Sequence, residues 1–150
     1  MKKIIILFFI FLLFGSSQEI NETELKKLYT KTIHAIKAND SLAFLRLWEY
    51  PDSLYDWCGN SPENTFHNIA IFEHFKKIRI SWMPFIKKLK LIDAMIDNAE
   101  KEDVEDWGQP VCFLLTYKGL PYTIYSEVRY HKNKLVYDQE YLLPEKLTPN

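Results

Sequence analysis

The chain reads as an α+β domain, and three features of the sequence point there. Apolar residues recur at helical spacing from Leu25 to Trp82. From Leu89 onward the period switches to two, the spacing of a strand with one face buried. The connections between the later alternating runs are short enough for hairpins, so these strands form an antiparallel meander. Helices first and a meander second place the helices on one face of a sheet.

The first helix runs from Thr23 to Ala38, with Leu25, Leu28, Tyr29, Ile33 and Ile36 as its apolar stripe and Lys26, Lys27, Lys31 and Lys37 off it. Asn39-Asp40-Ser41 breaks that helix and caps a second, carried by Leu42, Leu45 and Trp48 until Pro51. The third helix starts at Asn60-Ser61-Pro62, where Ser61 caps and Pro62 fits the first helical position. Its buried face is Ile71, Phe75, Ile78 and Trp82, and Pro84 bends or ends it.

Four strands are expected: Leu89 to Asp97, Val111 to Tyr117, Tyr122 to His131 and Leu135 to Leu143. Asn98 to Gly108 is an acidic loop ending in Trp107. Gly119 marks one turn. Lys132-Asn133 marks a two-residue hairpin, in which Asn133 tolerates positive φ.

Ahead of these elements stands Met1-Lys2-Lys3, an unbroken apolar run from Ile4 to Phe14, and Gly15-Ser16-Ser17. A basic start, a short apolar stretch and small residues at the cut are the parts of a secretory signal peptide. The run is shorter than the roughly 20 residues a membrane span needs. Residues 1–17 are therefore read as the signal and 18–150 as one mature domain, exported to the periplasm or the cell exterior, with no membrane association after cleavage.

The chain has 19 basic and 20 acidic residues; without Lys2 and Lys3 the balance is 17 to 20, a net charge of −3. That gives no electrostatic case for nucleic-acid binding, which requires a basic face. Aromatic residues make up 15% of the chain, which predicts either a bulky core or an aromatic-lined cavity. Cys58 and Cys112 are the two cysteines. An oxidising compartment permits a disulfide between them, which would stabilise by about 4 kcal/mol in the chain-entropy picture; two buried thiols are the other reading. All four histidines fall off the apolar patterns and are read as exposed. No phosphate loop, nucleophile elbow or metal-ligand spacing occurs, so no cofactor and no metal are expected.

The order of elements, with the Asn39-Asp40 break before Leu42 and Trp48, a third helix, and long hairpins to the C-terminus, resembles the NTF2-like (SnoaL-like, cystatin-like) superfold. The resemblance covers most of the mature chain. It implies a curved sheet and helices forming a cone whose interior is the usual site. It says little about activity, because the fold hosts isomerases, dehydratases and non-catalytic domains alike.

Alternation sorts the strand faces. Val111, Phe113, Leu115 and Tyr117 share the inner face with Tyr122, Ile124, Ser126, Val128 and Tyr130, and with Leu135, Tyr137, Gln139, Tyr141 and Leu143. Val136, Asp138 and Glu140 point outward. Buried polar groups need partners, so Tyr122, Ser126, Tyr137, Gln139 and Tyr141 are the candidate ligand-binding residues of an aromatic-lined cavity. Asp93 lies between Leu91 and Met95. If that face is buried, Asp93 is a carboxylate with raised pKa, and the resemblance to ketosteroid-isomerase-like enzymes pairs it with a tyrosine hydroxyl, Tyr117 or Tyr130. If Ile92 to Ile96 is the core face, Asp93 is solvated. Gln109-Pro110-Val111-Cys112-Phe113 partly resembles the wedge segment of cystatins, with Phe113 in place of its glycine.

Three functional readings follow. The favoured one is non-catalytic binding of a small apolar ligand or a protein partner by a monomer or homodimer. An isomerase- or dehydratase-type enzyme using Asp93, and a loop-mediated inhibitor or immunity-type protein, are the alternatives.

Overall fold

The computed structural model describes residues 20–48, 66–97, 108–138 and 142–150. Among these it is an α+β structure of three helices, α1 Glu22–Ala38, α2 Ser41–Leu45 and α3 Phe66–Ile86, and four strands, β1 Lys90–Ile96, β2 Gln109–Tyr117, β3 Leu120–His131 and β4 Lys134–Tyr137. The strands form one antiparallel sheet in the order β1-β2-β3-β4.

The helix boundaries follow from capping chemistry. The Asn21 side chain accepts from the Glu24 amide at 3.0 Å and opens α1. Asn39, at φ 56° and ψ 36°, closes it in the left-handed region. One residue later Asp40 accepts from the Ala43 amide at 2.8 Å and opens α2. α2 is only five residues long. Trp48 lies beyond it, in a bridge to Tyr137 on the free edge of β4, where the Tyr137 amide donates to the Leu47 carbonyl at 2.7 Å. The α2 tail thus covers an edge strand that would otherwise be open to pairing.

Pro84 sits inside α3, which runs on to Ile86. The residue four before it, Ile80, is 78% exposed. The carbonyl that Pro84 deprives of a donor therefore belongs to an exposed residue of the helix, where solvent offers an alternative donor. The start of α3 near Ser61 lies outside the described residues.

Both described hairpins have two-residue turns. Lys118-Gly119 joins Tyr117 to Leu120, and Lys132-Asn133 joins His131 to Lys134. All four turn residues have positive φ, the twist that suits a right-handed strand pair. β4 ends at Tyr137, and Leu142 and Leu143 are not in a strand, so the last strand is shorter than its apolar alternation predicts.

The core lies between the helices and the inner sheet face. Trp48, Trp82, Phe44, Phe113 and Tyr137 are its largest fully buried side chains. Each contributes on the order of 1.5–3 kcal/mol or more by burial. α1 touches both edge strands, β1 and β4, as well as α2 and α3. The C-terminal segment is pinned at both ends. The Trp82 indole donates to the Pro144 carbonyl at 3.1 Å and Lys77 pairs with Glu145 at 2.8 Å. Asn150 bonds the Pro121 carbonyl and the Thr123 hydroxyl at 3.0 and 2.7 Å.

Candidate functional site

A cavity of about 360 Å3 opens at the end of the sheet where β1 finishes and β2 begins. Val111 and Ser126 supply its floor; they face each other across the β2–β3 ladder. Pro110, Tyr125 and Leu142 give apolar walls, and Asp97 and Glu127 stand at its rim. Tyr125 is 65% exposed and Leu142 42%, so the mouth is lined by apolar surface in contact with water.

Ser126 is the chemically distinctive member. It is 6% exposed, and its Oγ is buried with no hydrogen-bond partner among the described residues. A hydroxyl left in that state costs on the order of 1–3 kcal/mol. Ser126 continues the inner-face alternation of Tyr122, Ile124 and Val128, all buried. A small polar residue in that run leaves room where a large apolar one would fill it.

The other residues proposed as ligand contacts separate from this cavity. Tyr122 and Tyr137 point inward as expected, but they are core residues and line none of it. Tyr122 is 5% exposed and packs edge-on against Tyr117 at 6.4 Å. Tyr137 is fully buried against Trp48 at 5.1 Å and Phe113 at 6.4 Å, with its hydroxyl 2.9 Å from Thr32 Oγ1. Gln139 and Tyr141 lie outside the described residues.

Asp93 sits beside a β-bulge. The β1–β2 register passes from Leu91↔Leu115 to Asp93↔Leu114, so Ile92 is the extra residue. The bulge defeats simple alternation. Leu91, Ala94 and Ile96 pair with the inner-face residues of β2, Ala94 is fully buried, and Ile92 is 59% exposed. The reading that made Ile92 to Ile96 the core face is therefore half corrected: Ile96 belongs to it and Ile92 does not. The Asp93 side chain is 39% exposed and stands 3.4 Å from Lys26 Nζ. The Ala94 amide, donating at 2.8 Å, and then Lys26 hold its carboxyl below the usual range. Proton abstraction in a dry pocket needs a carboxyl raised by burial, and this one is shifted the other way.

Both candidate tyrosines are engaged with other groups. Tyr130 donates to Glu24, and burial followed by that carboxylate pushes its phenol up to about 12. The Tyr117 ring packs edge-on against Phe85 at 5.1 Å, with Lys118 Nζ 5.4 Å from its centroid.

Cys112 is a buried free thiol whose pKa is raised, chiefly by burial; Cys58 lies outside the described residues. The Gln109-to-Phe113 segment is built into β2, paired on both sides by β1 and β3, so it is not a protruding wedge. Residues 1–17 and Trp107 lie outside the described residues.

Three features escaped the sequence reading. His74 is 3% exposed rather than solvated. It sits edge-on to Trp48 at 6.1 Å, and burial lowers its pKa. Position 74 completes the spacing Ile71, Phe75, Ile78, a signal that was legible. Val136 and Asp138 point to the outer face yet are 5% and 4% exposed. Val136 pairs with Arg129 across the ladder, and Arg129 Nε lies 3.3 Å from Asp138, so a charge pair closes over that end of the face. Gly108 packs there too, where an added Cβ would meet Glu127 and Asp138 at 3.1 and 3.2 Å. Thr32 takes a place in the α1 stripe, 1% exposed, beside the expected apolar residues.

Among the described residues there is no group of three or more acidic, histidine or cysteine side chains able to hold a metal ion. No helix among them is long and apolar enough to cross a membrane. Comparison of the chain with protein-family models, with curated proteins and with solved structures finds no match in any of the three.

Proposed function

We propose that this chain is an exported, non-catalytic binding domain that holds a small, mostly apolar molecule at the open end of its sheet. One observation carries the reading: Ser126, whose hydroxyl is buried with no partner among the described residues, lines a cavity with Val111, Pro110, Tyr125 and Leu142 as its apolar walls. A mostly apolar concavity with a few polar groups, here Ser126 with Asp97 and Glu127, is the usual form of a small-molecule site. The ligand would carry one hydrogen-bonding group for Ser126 and an apolar body for the walls. The export half of the proposal rests on the basic, apolar and small-residue sequence of Met1 to Ser17.

The finer fold proposal is an NTF2-like cone. It is supported by the order of three helices before a four-stranded meander and by the contacts of α1 with both edge strands. A helix about 10 Å across reaching both edges fits a sheet that curls around it.

To test the site, amide shifts of labelled protein would be followed during titration with small phenols and alkyl alcohols. Saturable shifts at Val111, Ser126 and Leu142, lost in Ser126→Leu, are expected. Shifts confined to other residues, or no saturation, would remove the proposal.

A protein partner is the second reading, favoured by a different surface. Met95, Cys112 and Tyr125 lie in one row across β1, β2 and β3. Met95 is 40% exposed and Tyr125 65%, and Ile92 at the β1 bulge is 59% exposed. Such a row is a sheet face suited to burial against another surface. Concentration-dependent light scattering that shows a dimer, abolished by Tyr125→Lys, would favour this reading over the cavity.

A further inference from the structure

A second concavity, of about 180 Å3, lies between α1 and the β3–β4 hairpin. Three lysines from two elements line it: Lys27 and Lys31 on α1, and Lys134 at the hairpin. Lys27 and Lys31 are four residues apart, so they stand on one flank of the helix about 6 Å apart along its axis. Asn133 adds a side-chain amide beside the turn, and Leu28 and Leu135 form an apolar floor.

What sets these lysines apart is that they line one concavity together. Lys26, Lys76 and Lys77 each have a carboxylate partner, in Glu22, Glu73 and Glu145. Among the described residues Lys27, Lys31 and Lys134 make no ion pair. The one acid in the groove, Glu24, accepts hydrogen bonds from the Tyr130 phenol and from the Asn21 amide, both through Oε2. Its charge is thereby directed to those two donors. Three ammonium groups against one carboxylate leave the groove at +2, in a chain whose net charge is −1. Like charges converging on a concave surface repel, and a bound counter-charge relieves that repulsion.

We infer that this groove binds a dianionic tetrahedral oxyanion, a phosphate group or its sulfate equivalent. Lysine recognises such groups as a point charge, and an amide of Asn133 supplies a neutral donor. The Leu28 and Leu135 floor suits an organic ester better than the free ion. The site is separate from the Ser126 cavity and stands or falls without it.

The test uses 15N-labelled protein titrated with inorganic phosphate, with phenyl phosphate, and with sodium chloride at matched ionic strength. Saturable shifts at Lys27, Lys31, Asn133 and Lys134 with either phosphate, and none with chloride, are the expected result. Phenyl phosphate binding about tenfold tighter, a gain that one well-packed apolar group provides, assigns the source as an ester; equal binding assigns the free ion. The pair Lys27→Gln and Lys31→Gln, or Lys134→Gln alone should the pair misfold, weakens binding at least about tenfold. Lys118→Gln, on the other hairpin, leaves it unchanged. Shifts that rise linearly, that chloride reproduces, or that persist in both lysine variants overturn the inference.

Discussion

The hydroxyl of Thr32 on α1 and the phenol of Tyr137 on β4 lie 2.9 Å apart inside the core. Thr32 spends its one proton on the Leu28 carbonyl at 2.9 Å, so Tyr137 is the donor between the two. This bond joins the first helix to the last strand, and the direction of donation makes its two ends unequal.

Removing the two ends should therefore cost different amounts. Thr32→Val leaves the Tyr137 hydroxyl buried with nothing to receive its proton, which costs about 1–3 kcal/mol. Tyr137→Phe leaves Thr32 still bonded to Leu28 and costs about 0.5–1.5 kcal/mol. Urea unfolding of both variants checks the order; a costlier Tyr137→Phe contradicts the assigned donor.

Ser126→Ala separates a binding role from a structural one. Its hydroxyl has no protein partner among the described residues, so its loss should leave the ligand-free protein equally stable or about 1 kcal/mol more stable. Ligand affinity should fall in the same variant. A marked loss of stability, seen by thermal unfolding without ligand, would mean that Ser126 is held by the fold itself.

His74 makes stability depend on pH. Burial lowers its pKa below the usual value near 6.5, outweighing the opposing pull of Glu145, and its Nε2 has no acceptor among the described residues. Below that value the unfolded chain binds the proton first, so stability falls as pH drops. The contribution is complete above about pH 6.5 and lost progressively toward the depressed folded value. His74→Phe should flatten the fall in stability between about pH 7.5 and pH 5. Unfolding curves with the same slope in both proteins would assign the acid sensitivity elsewhere.

Asp93 decides the enzymatic alternative. A carboxyl NMR titration should place its midpoint below the usual aspartate range, because the Ala94 amide and Lys26 favour its charged form. Lys26→Gln should raise that midpoint. A midpoint above the usual range in the wild-type protein would reinstate Asp93 as a base.

Much of the fold was legible because local chemistry specifies it. Asn21, Asn39 and Asp40 place the helix ends, and Lys118-Gly119 and Lys132-Asn133 place the hairpins. Spacing alone could not show the bulge at Ile92, which needs the partner strand to be seen. Nor could it show that Trp48 would close the edge of β4 instead of extending α2. At the candidate site Ser126 was legible, as the one small polar residue in an apolar row. Tyr122 and Tyr137 fell in the same alternation, yet their rings fill the core. An inward direction can be read from period two, but whether space lies in front of a residue depends on the opposing layer.

Native mass spectrometry of the protein purified from its own source asks whether the Ser126 cavity holds a small molecule. A mass excess from a single non-covalent small molecule, released on gentle activation and absent in Ser126→Leu, is the expected result. Bare protein in repeated preparations, or the same excess in Ser126→Leu, would contradict it.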